Sequence, residues 1–416
     1  MSDSRPRVVV TGIGAMTDMG LDVPTMWDGL INGRSGIGPI TAFEQNDEWD
    51  VQIAGEVKDW DPKDKLDASE RKRMDRNSQI GVCAAVEAAE SAGLDFESGD
   101  QTRRGVAIGT GIGGIITIEN DHNKLLAKGP RRISPFCVPK LMANACSGNV
   151  SLRFGLKGIN IVTATACASG AHAVAMASQQ IQLGQADVML TGGTESAVSS
   201  LCVSAFSAMK ALSTRNEEPT LASRPFDRDR DGFVLAEGAG VLVLESLEHA
   251  QARGAMILAE VVGYGISGDA HHIAAPAEDG DGAARAMKLA LANAQVNPTD
   301  IGYINAHGTS TPLGDASEVQ AVKTVFGDHA HSLVMSSTKS MTGHGLGAAG
   351  GIESVAVVNA LRHGIIPPTI NLDNPDEGFD LDFAANVAQE RDITYALNNS
   401  FGFGGHNVSL VFGKAP

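Results

Sequence analysis

Continuous apolar runs alternate with alanine-rich helical segments along most of this 416-residue chain. The apolar runs contain few polar residues, so the strands they predict are buried on both faces, as in sheets that are covered by helices. Residues 168–183 carry Ala and Ser on all sides, a composition typical of a helix enclosed between sheets. The pattern predicts an α/β protein of layered sheets and helices. Strands are predicted at 7–12, 105–109, 161–165, 187–193, 240–245, 259–263, 303–306, 333–337 and 408–413, and helices at 71–92, 141–154, 168–183, 247–253, 282–294, 317–326 and 347–362.

A weak internal repeat divides the chain into two halves. Residues 8–18 (VVVTGIGAMTD) and 260–269 (EVVGYGISGD) each read as a strand, a Gly-x-Gly turn and an aspartate. We therefore expect an N-terminal half at 1–255 and a C-terminal half at 256–416. No Pro- or Ser-rich linker separates them, so the halves are expected to pack as one unit.

Composition and charge exclude several classes of protein. The 32 Lys and Arg against 49 Asp and Glu give a net charge of −17, which argues against nucleic acid or a membrane surface as a partner. No apolar stretch has the length of a membrane helix, and the first residues lack the layout of a signal peptide. The five cysteines are scattered and form no CxxC pair, so a reducing cytoplasm is expected, without disulfides or zinc.

Two glycine-rich segments resemble nucleotide-binding loops only superficially. Residues 109–114 (GTGIGG) follow a predicted strand but lack the G-x-G-x-x-G spacing, and no P-loop lysine follows them. Residues 402–405 (GFGG) also lack a phosphate-binding context. These glycines are expected to let the backbone approach a substrate or a packed helix.

One cysteine lies at a strand-to-helix junction. Cys167 stands in residues 163–172 (TATACASGAH), where the unpaired N–H groups of a helix N-terminus favour a thiolate. A buried structural cysteine is the alternative, and it fits the other four cysteines. The Ala-Ser-Gly that follows Cys167 favours a crowded elbow with close backbone approach. Cys167 is therefore the candidate nucleophile.

Two histidines lie in glycine-rich loops after predicted strands. His307 is in residues 305–315 (NAHGTSTPLGD), and His344 is in residues 337–351 (STKSMTGHGLGAAGG). A lone histidine is more often structural, but two in such loops together with a candidate thiolate indicate catalysis. The histidine and carboxylate spacings of metal sites are absent, so no metal is expected.

These motifs resemble the signature set of β-ketoacyl-acyl-carrier-protein synthases, most closely the type II condensing enzymes of dissociated fatty acid synthesis. The resemblance covers residues 8–412, essentially the whole chain. It implies a thiolase-like fold of two duplicated halves in five αβαβα layers, and a homodimer. The motifs that carry it are TACASG, NAHGTSTPLGD, KSMTGHGLGAAG and NNSFGFGGHN, together with FDRDRDGFVLAEGAG at 226–240 and LSTRN at 212–216.

The resemblance also implies the chemistry of the site. Cys167 would accept an acyl chain from the carrier's phosphopantetheine as a thioester. After malonyl-carrier loses CO₂, His307 and His344 would stabilise the enolate that attacks this thioester, with Lys339 orienting the pair and balancing charge. The backbone N–H groups of Cys167 and Phe403 would form the oxyanion hole.

Further residues are implied to contact the substrate or the carrier. The family needs no cofactor of its own, because its substrates arrive on an acidic acyl carrier protein that would require local positive charge on this chain. Residues 71–76 crowd four bases, Arg71, Lys72, Arg73 and Arg76, although a charge run is usually only a solvated face. The resemblance implies that Thr309 and Thr311 contact the pantetheine arm, and that Lys72, Arg73 and Lys210 dock the carrier. It also implies an acyl pocket or gate, for which the alternative is ordinary core, formed by Ile112, Phe206, Phe233 and Phe403.

Three other functions compete with fatty acid elongation. A polyketide ketosynthase carries the same motifs, so the sequence leaves this alternative open. A non-catalytic chain-length subunit usually lacks the cysteine that stands here at Cys167. A degradative thiolase is expected to carry a second cysteine near its C-terminus, and no cysteine follows Cys202.

Overall fold

The computed structural model describes residues 5–277 and 279–416 of the chain. Over these residues it forms fourteen strands and thirteen α-helices, none of them long and apolar enough to cross a membrane. The strands are β1 Val8–Thr17, β2 Ile37–Pro39, β3 Ile53–Gly55, β4 Arg104–Gly109, β5 Asn160–Thr163, β6 Val188–Glu195, β7 Gly238–Ser246, β8 Ala259–Gly268, β9 Ile301–Asn305, β10 Val334–Ser336, β11 Ile365–Ile366, β12 Gln389–Glu390, β13 Tyr395–Gly402 and β14 His406–Lys414. The helices are α1 Val23–Ile31, α2 Ala68–Arg73, α3 Arg76–Ala92, α4 Ile115–Lys128, α5 Cys137–Leu141, α6 Ala145–Phe154, α7 Ser169–Gln182, α8 Ser200–Ala208, α9 Leu247–Ala252, α10 Asp281–Ala294, α11 Pro312–Phe326, α12 Lys339–Thr342 and α13 Ala349–His363.

Ten strands are hydrogen-bonded in the order β10-β9-β13-β14-β8-β1-β7-β6-β4-β5. Five strands lie on each side of the β8/β1 junction. When the strands of each side are numbered in chain order, the first lies at the junction and the fifth, fourth, second and third follow outward. The two sides therefore repeat one topology. The junction itself is short, because β1 and β8 pair only across residues 8–10 and 259–261. The boundary predicted at residue 255 stays a prediction, and it lies between α9 and β8.

Two central helices lie between the repeated groups of strands. Helix α7 contacts β4 and β6 on one side and β8 and β14 on the other, and α13 contacts strands of both groups in the same way. Helices α3 and α6 pack outside the first group, and α10 packs outside the second. The five αβαβα layers and the enclosed small-residue helix are therefore confirmed.

Glycines let the central helices approach each other and the strands. A Cβ atom at Gly170 of α7 would lie 2.8 Å from the nitrogen of Gly351 and 2.9 Å from the carbonyl oxygen of Gly347. A Cβ at Gly351 of α13 would in turn lie 2.5 Å from the nitrogen of Gly193 in β6. Backbone atoms cannot rotate away as side-chain ends do, so only glycine fits at these crossings.

The Gly-x-Gly repeat is real, but it does not form turns. Gly12 and Gly14 lie inside β1, where added Cβ atoms would overlap the backbone of Ala88 and Ala84 in α3. In β8, Gly265 faces Ala286 of α10 in the same way. The prediction of a turn was therefore wrong, because these glycines admit a helix onto the strand instead.

Two other predicted elements differ from the structure. The helix predicted at 71–92 breaks after Arg73, because Asp75 turns extended and its side chain accepts the N–H of Asn77 to begin α3. Strand β13, at the centre of the second group, was not predicted, because its residues 398–400 are polar and form no apolar run. In the structure these residues are buried and paired with β9 and β14.

Replacing Gly170 by Ala tests the glycine crossing. We expect a loss of about 1–3 kcal/mol in the free energy of unfolding, because the new methyl group overlaps backbone that cannot yield cheaply. Gly148→Ala is the matched control, since Gly148 also lies in a helix and its Cβ would meet no atom within 4 Å. That control is expected to be neutral or to stabilise by about 0.5–1 kcal/mol. Thermal melting at one protein concentration measures both, and equal melting temperatures would contradict the packing argument.

Candidate active site

A cavity of about 520 Å³ opens beside the N-terminal ends of the central helices. Its wall includes Cys167, His307 and His344, which come from three separate segments of the chain. Lys339, Lys72 and Arg73 do not line it. The predicted residues that do line it, besides these three, are Ile112, Phe206, Lys210, Phe233, Thr309, Thr311 and Phe403.

Cys167 lies on a tight elbow between β5 and α7. It occupies the 3₁₀ turn Ala166–Ala168, whose first residue has φ of 50°, a left-handed conformation that is uncommon outside glycine. The end of β13 packs on this elbow, because a Cβ at Gly402 would lie 2.6 Å from the oxygen of Thr165 and 3.1 Å from the nitrogen of Cys167. Glycine at 402 is therefore required for this contact.

The Cys167 thiol is buried, with 7% of the residue exposed. Burial raises the pKa of the thiol to about 12, and the charge of Lys339 and the backbone N–H of Phe403 lower it only in part. Desolvation of the buried thiol therefore opposes the thiolate that the helix N-terminus favours. The N–H groups of Phe403 and of Cys167 itself do act on the sulfur, which places two backbone donors beside the reacting atom.

His307 and His344 face each other across the cavity wall. Their ring centres are 5.4 Å apart and their planes nearly perpendicular, at 86°. Burial lowers the pKa of both imidazoles well below the ordinary value, and the charge of Lys339 lowers it further. Nδ1 of His307 and both ring nitrogens of His344 have no hydrogen-bond partner in the described chain. The pair can therefore present neutral N–H donors to a substrate oxygen.

Aromatic side chains pack against His344. The ring of Phe233 lies 5.3 Å from that of His344 and 5.4 Å from that of Phe206, and both contacts are edge to face. Phe206 is half-buried and lines the cavity, so it belongs to the wall of the site rather than to the deep core. The histidines thus sit between an apolar wall and the elbow of Cys167.

Thr309 and Thr311 lie side by side at the cavity wall, with their hydroxyl oxygens 3.0 Å apart. The strained backbone between them is fixed by Asp315, which accepts the N–H of Ser310 at 3.2 Å. Arg230 donates to the carbonyl oxygens of Thr311 and Pro312 from the other side. Two hydroxyl groups are thereby held side by side at the cavity wall. Within residues 5–277 and 279–416, no three His, Cys, Asp or Glu residues are grouped to hold a metal ion.

Comparison with known families agrees with this arrangement. The family model "Beta-ketoacyl synthase, N-terminal domain" matches residues 5–250, and "Beta-ketoacyl synthase, C-terminal domain" matches residues 258–373. The chain belongs to the β-ketoacyl synthase family. A curated relative named 3-oxoacyl-[acyl-carrier-protein] synthase 2, from Staphylococcus aureus (strain COL), is 50% identical to this chain over 98% of both chains. The relative of that name in Vibrio harveyi is 49% identical over 99% of both chains.

Solved structures of ketosynthases share the whole fold. A β-ketoacyl synthase from Burkholderia phymatum is 36% identical with a TM-score of 0.92, and the ishigamide ketosynthase/chain length factor is 37% identical with a TM-score of 0.93. A third is the ketosynthase in complex with a type II polyketide acyl-carrier protein, at 35% identity and a TM-score of 0.91. Each match covers 99% of this chain and all of the other.

In this β-ketoacyl synthase, a buried carboxylate that the sequence did not single out holds the backbone at His307 in place. Glu318 accepts the backbone N–H groups of His307 at 2.9 Å and Gly308 at 2.8 Å, and the side chain of Asn399 at 3.1 Å. Burial raises the pKa of Glu318 to about 7, against these hydrogen bonds and the charge of Lys339. A glutamate eleven residues after a histidine carries no recognisable spacing, so only the fold brings the two together.

Lys339 acts on the histidines through its charge. It is 1% exposed, and its ammonium group donates to Glu353 rather than to either imidazole. Burial raises the pKa of Glu353 to about 7 even beside this lysine. The pair is therefore a buried salt bridge behind the site, and the predicted orienting role of Lys339 stays a prediction.

The predicted docking bases Lys72, Arg73 and Lys210 are all exposed, whereas Arg76, their neighbour in the 71–76 base cluster, is not. Lys72 and Arg73 are exposed on α2, with the Lys72 ammonium 5.6 Å from the ring centre of Phe136. Lys210 is 82% exposed at the cavity rim. Arg76 instead turns inward, where it donates to both oxygens of Glu237 at 2.6 and 2.9 Å, so it does not belong to the exposed base cluster.

The protonation state of the histidine pair can be measured directly. We expect the carbon-13 signals of His307 and His344 to report neutral rings from pH 8 down to about 5.5, below the ordinary histidine pKa of about 6.5. Lys339→Met removes a positive charge that lowers both pKa values, so protonation should then begin at higher pH. Lys288→Met, at an exposed lysine of α10, is the control. A wild-type signal that titrates near the ordinary value would contradict the assignment.

Proposed function

We propose that this chain is an elongating β-ketoacyl-acyl-carrier-protein synthase of type II fatty acid synthesis. The observation that carries the proposal is one cavity whose wall holds the thiol of Cys167 and the two neutral imidazoles of His307 and His344. This set provides a nucleophile and two hydrogen-bond donors, which are the groups that acyl transfer and a decarboxylating condensation require. Curated relatives of that activity at about 50% identity support it.

The first half-reaction loads the acyl chain. The sulfur of Cys167 attacks the carbonyl carbon of acyl-carrier, and the backbone N–H groups of Cys167 and Phe403 bind the oxyanion of the tetrahedral intermediate. The intermediate expels the pantetheine sulfur, which takes up the proton that the Cys167 thiol has lost. Because burial disfavours a resting thiolate, the Cys167 thiol is proposed to lose its proton as it attacks the carbonyl carbon.

The second half-reaction makes the carbon–carbon bond. Malonyl-carrier loses CO₂, and the electron pair of the broken bond becomes an enolate on the thioester. His307 and His344 donate hydrogen bonds to the enolate oxygen, and the carbon attacks the Cys167 thioester. Collapse of that intermediate forms 3-oxoacyl-carrier and releases the Cys167 sulfur, which is then protonated by one proton from the solvent. Decarboxylation itself forms the carbanion, so no general base is required.

The carrier-bound substrate is proposed to reach the site past Thr309 and Thr311. Thr309 and Thr311 are proposed to bind the pantetheine arm through their paired hydroxyl groups. The apolar part of the cavity wall, with Ile112, Phe206 and Phe233, is proposed to receive the acyl chain and to gate it together with Phe403. No cofactor of the protein itself enters these steps, because the carrier brings the reactive groups.

The competing functions differ in what supports them. The structural relative in complex with a type II polyketide acyl-carrier protein is 35% identical, whereas the relatives named 3-oxoacyl-[acyl-carrier-protein] synthase 2 reach 50%. A non-catalytic chain-length subunit would not need Cys167 on its elbow. A degradative thiolase would need a second cysteine, and the cavity lining includes no cysteine besides Cys167. Elongation of fatty acids is therefore the proposal.

Replacing Cys167 by Ala separates the two half-reactions. We expect acyl transfer and condensation to be lost entirely, while malonyl-carrier is still decarboxylated, because the histidine pair remains. Cys202→Ala is the matched control, since Cys202 is also buried but has no predicted role. Mass spectrometry of the products, with a ladder of acyl-carriers, measures both activities. Condensation that survives in Cys167→Ala would refute the nucleophile.

An acidic acyl carrier protein is proposed to dock on the exposed bases Lys72, Arg73 and Lys210. Their positive charge stands out on a chain whose net charge is −17, and 25 of its 32 bases lie before residue 256. Exposed charges of this kind act mainly on association, because they steer an oppositely charged partner.

Charge reversal tests the docking surface. The double variant Lys72→Glu and Arg73→Glu is expected to raise KM for acyl-carrier by about tenfold, with acylation of Cys167 by small thioesters unchanged. Lys288→Glu reverses an exposed base on a different face and should change neither. Initial rates at two salt concentrations measure the effect. Equal losses with carrier-bound and small substrates would sink the proposal.

A homodimer is also proposed. Strand β5 lies at the end of the sheet order, so one of its edges is paired with β4 and no strand of the described chain pairs with the other. Helix α6 contacts β5, and its apolar side chain Leu152 is 77% exposed. The mass in solution, against 43.2 kDa for one chain, tests the dimer.

A cytoplasmic location stays a prediction.

A further inference from the structure

Glu195 is a buried carboxylate without a positive partner. It ends β6, it is 0% exposed, and no Lys, Arg or His of the described chain forms an ion pair with it. A charge buried in this way is costly unless many donors compensate it. The reaction steps above do not use it. Its four hydrogen bonds therefore show what it holds together.

Each oxygen of Glu195 accepts two hydrogen bonds. Oε1 accepts the hydroxyl of Thr110 at 2.9 Å and the N–H of Ile112 at 3.3 Å. Oε2 accepts the N–H of Gly111 at 2.6 Å and the N–H of Gly347 at 3.1 Å. One carboxylate thus binds the loop after β4 to the turn that leads into α13.

All four neighbours of this carboxylate are donors. The N–H groups can only donate, and the Thr110 hydroxyl gives its proton to Glu195 because its oxygen already accepts from Gly113 at 3.1 Å and from Asn77 at 3.3 Å. Glutamine has nearly the same shape, but its NH₂ group would face two donors in either orientation. The site therefore requires an acceptor at both oxygens, which only a carboxylate supplies.

The backbone that Glu195 holds carries two apolar residues of the cavity wall. Ile112 is half-buried in the loop after β4, and it lines the cavity together with Cys167. Leu346 precedes Gly347, lines the same cavity, and has φ of 45°, which is a strained conformation for leucine. Strained backbone persists only where its surroundings hold it, and the hydrogen bond from Gly347 to Glu195 is one such restraint.

We infer that Glu195 is a positioning residue that sets the acyl-chain preference of this site. By binding the backbone on both sides of the apolar wall, it fixes Ile112 and Leu346 relative to Cys167 before a chain enters. A long acyl chain must lie along this wall, so it gains most from a wall that is already ordered. A short chain touches less of it, and malonyl decarboxylation takes place at the histidines. The inference rests on the proposed function for the acyl substrate, but not on the condensation step.

The test is the rate at which Cys167 is acylated by a ladder of acyl thioesters, read by intact-protein mass. For Glu195→Gln we expect the ratio of long-chain to short-chain rates to fall by about tenfold or more, with decarboxylation of malonyl thioester within about threefold of wild type. Thr110→Val, which removes one of the four donors, should shift the ratio in the same direction by less. Thr110→Ser keeps the hydroxyl and should keep the ratio.

Glu245→Gln is the matched control for loss of a buried carboxylate. Glu245 is also 0% exposed, and it lies at the opposite end of the β6/β7 pair, since Glu195 faces Gly238 while Glu245 faces Val188. It lines no part of the cavity. Its variant should melt earlier than wild type with an unchanged ratio, because it loses a carboxylate bound by Arg253 at 2.5 Å.

Several outcomes would overturn the inference. An unchanged ratio in both Glu195→Gln and Thr110→Val would do so, as would an equal fall for every chain length and for decarboxylation. The same fall of the rate ratio in Glu245→Gln would show that loss of any buried carboxylate has this effect, so Glu195 would be only a stabilising residue. If Glu195→Gln does not fold, the two Thr110 variants decide. If the wild-type protein is acylated but never condenses, the proposed function is contradicted, but the acylation rates still test the role of Glu195.

Discussion

The distance between the two central helices controls the geometry of the site. Cys167 stands on the elbow that begins α7, and His344 lies just before the turn that begins α13. These helices cross at Gly170 and Gly351, where backbone meets backbone with no side chain between. A wider crossing would separate the thiol from the imidazole, so the reacting groups depend on residues that carry no functional atoms. The small-residue core is thus part of how the site is built.

Buried charges form the second level of organisation. Lys339 and its partner Glu353 lie below the histidines, and Glu318 holds the backbone of His307. Burial, together with the charge of the lysine, lowers the pKa of both imidazoles, while the carboxylates accept N–H groups that would otherwise lack partners in a dry interior. Replacing Glu318 would change charge and geometry together, because it holds the backbone of His307 in the cavity wall. The site is consequently rigid before substrate arrives, which is what electrostatic stabilisation of an oxyanion or enolate needs.

The sequence predicts the reacting residues better than the groups that hold them. Cys167, His307 and His344 stand in glycine-rich junctions whose pattern is specific, and the layered fold follows from continuous apolar runs and from the family resemblance. Glu195 and Glu318 could not be predicted, because a glutamate in a sequence ordinarily indicates surface, and their partners are backbone groups that no side-chain pattern records.

Local pattern also misjudges polar strands and glycines. Asn398 and Asn399 belong to no predicted strand, yet they lie buried in β13, where their side chains donate to the carbonyl oxygen of Gly350 and to the carboxylate of Glu318. The paired glycines of β1 read as a turn, although they serve the contact with α3. In both cases the deciding partner is far away in the chain. Short-range periodicity therefore identifies most elements, while their ends and their buried polar contacts depend on the tertiary fold.

The repeated topology has a consequence for stoichiometry. Each central helix is preceded by a 3₁₀ turn with a left-handed first residue, Ala166–Ala168 before α7 and Leu346–Ala348 before α13. In this correspondence the position of Cys167 on the first elbow is matched by Gly347 on the second. One elbow provides a sulfur, and the other provides only a backbone N–H, which Glu195 binds. The duplicated architecture therefore offers one thiol, the proposed acyl acceptor, on the two elbows of each chain, while the other elbow serves as an anchor for Glu195.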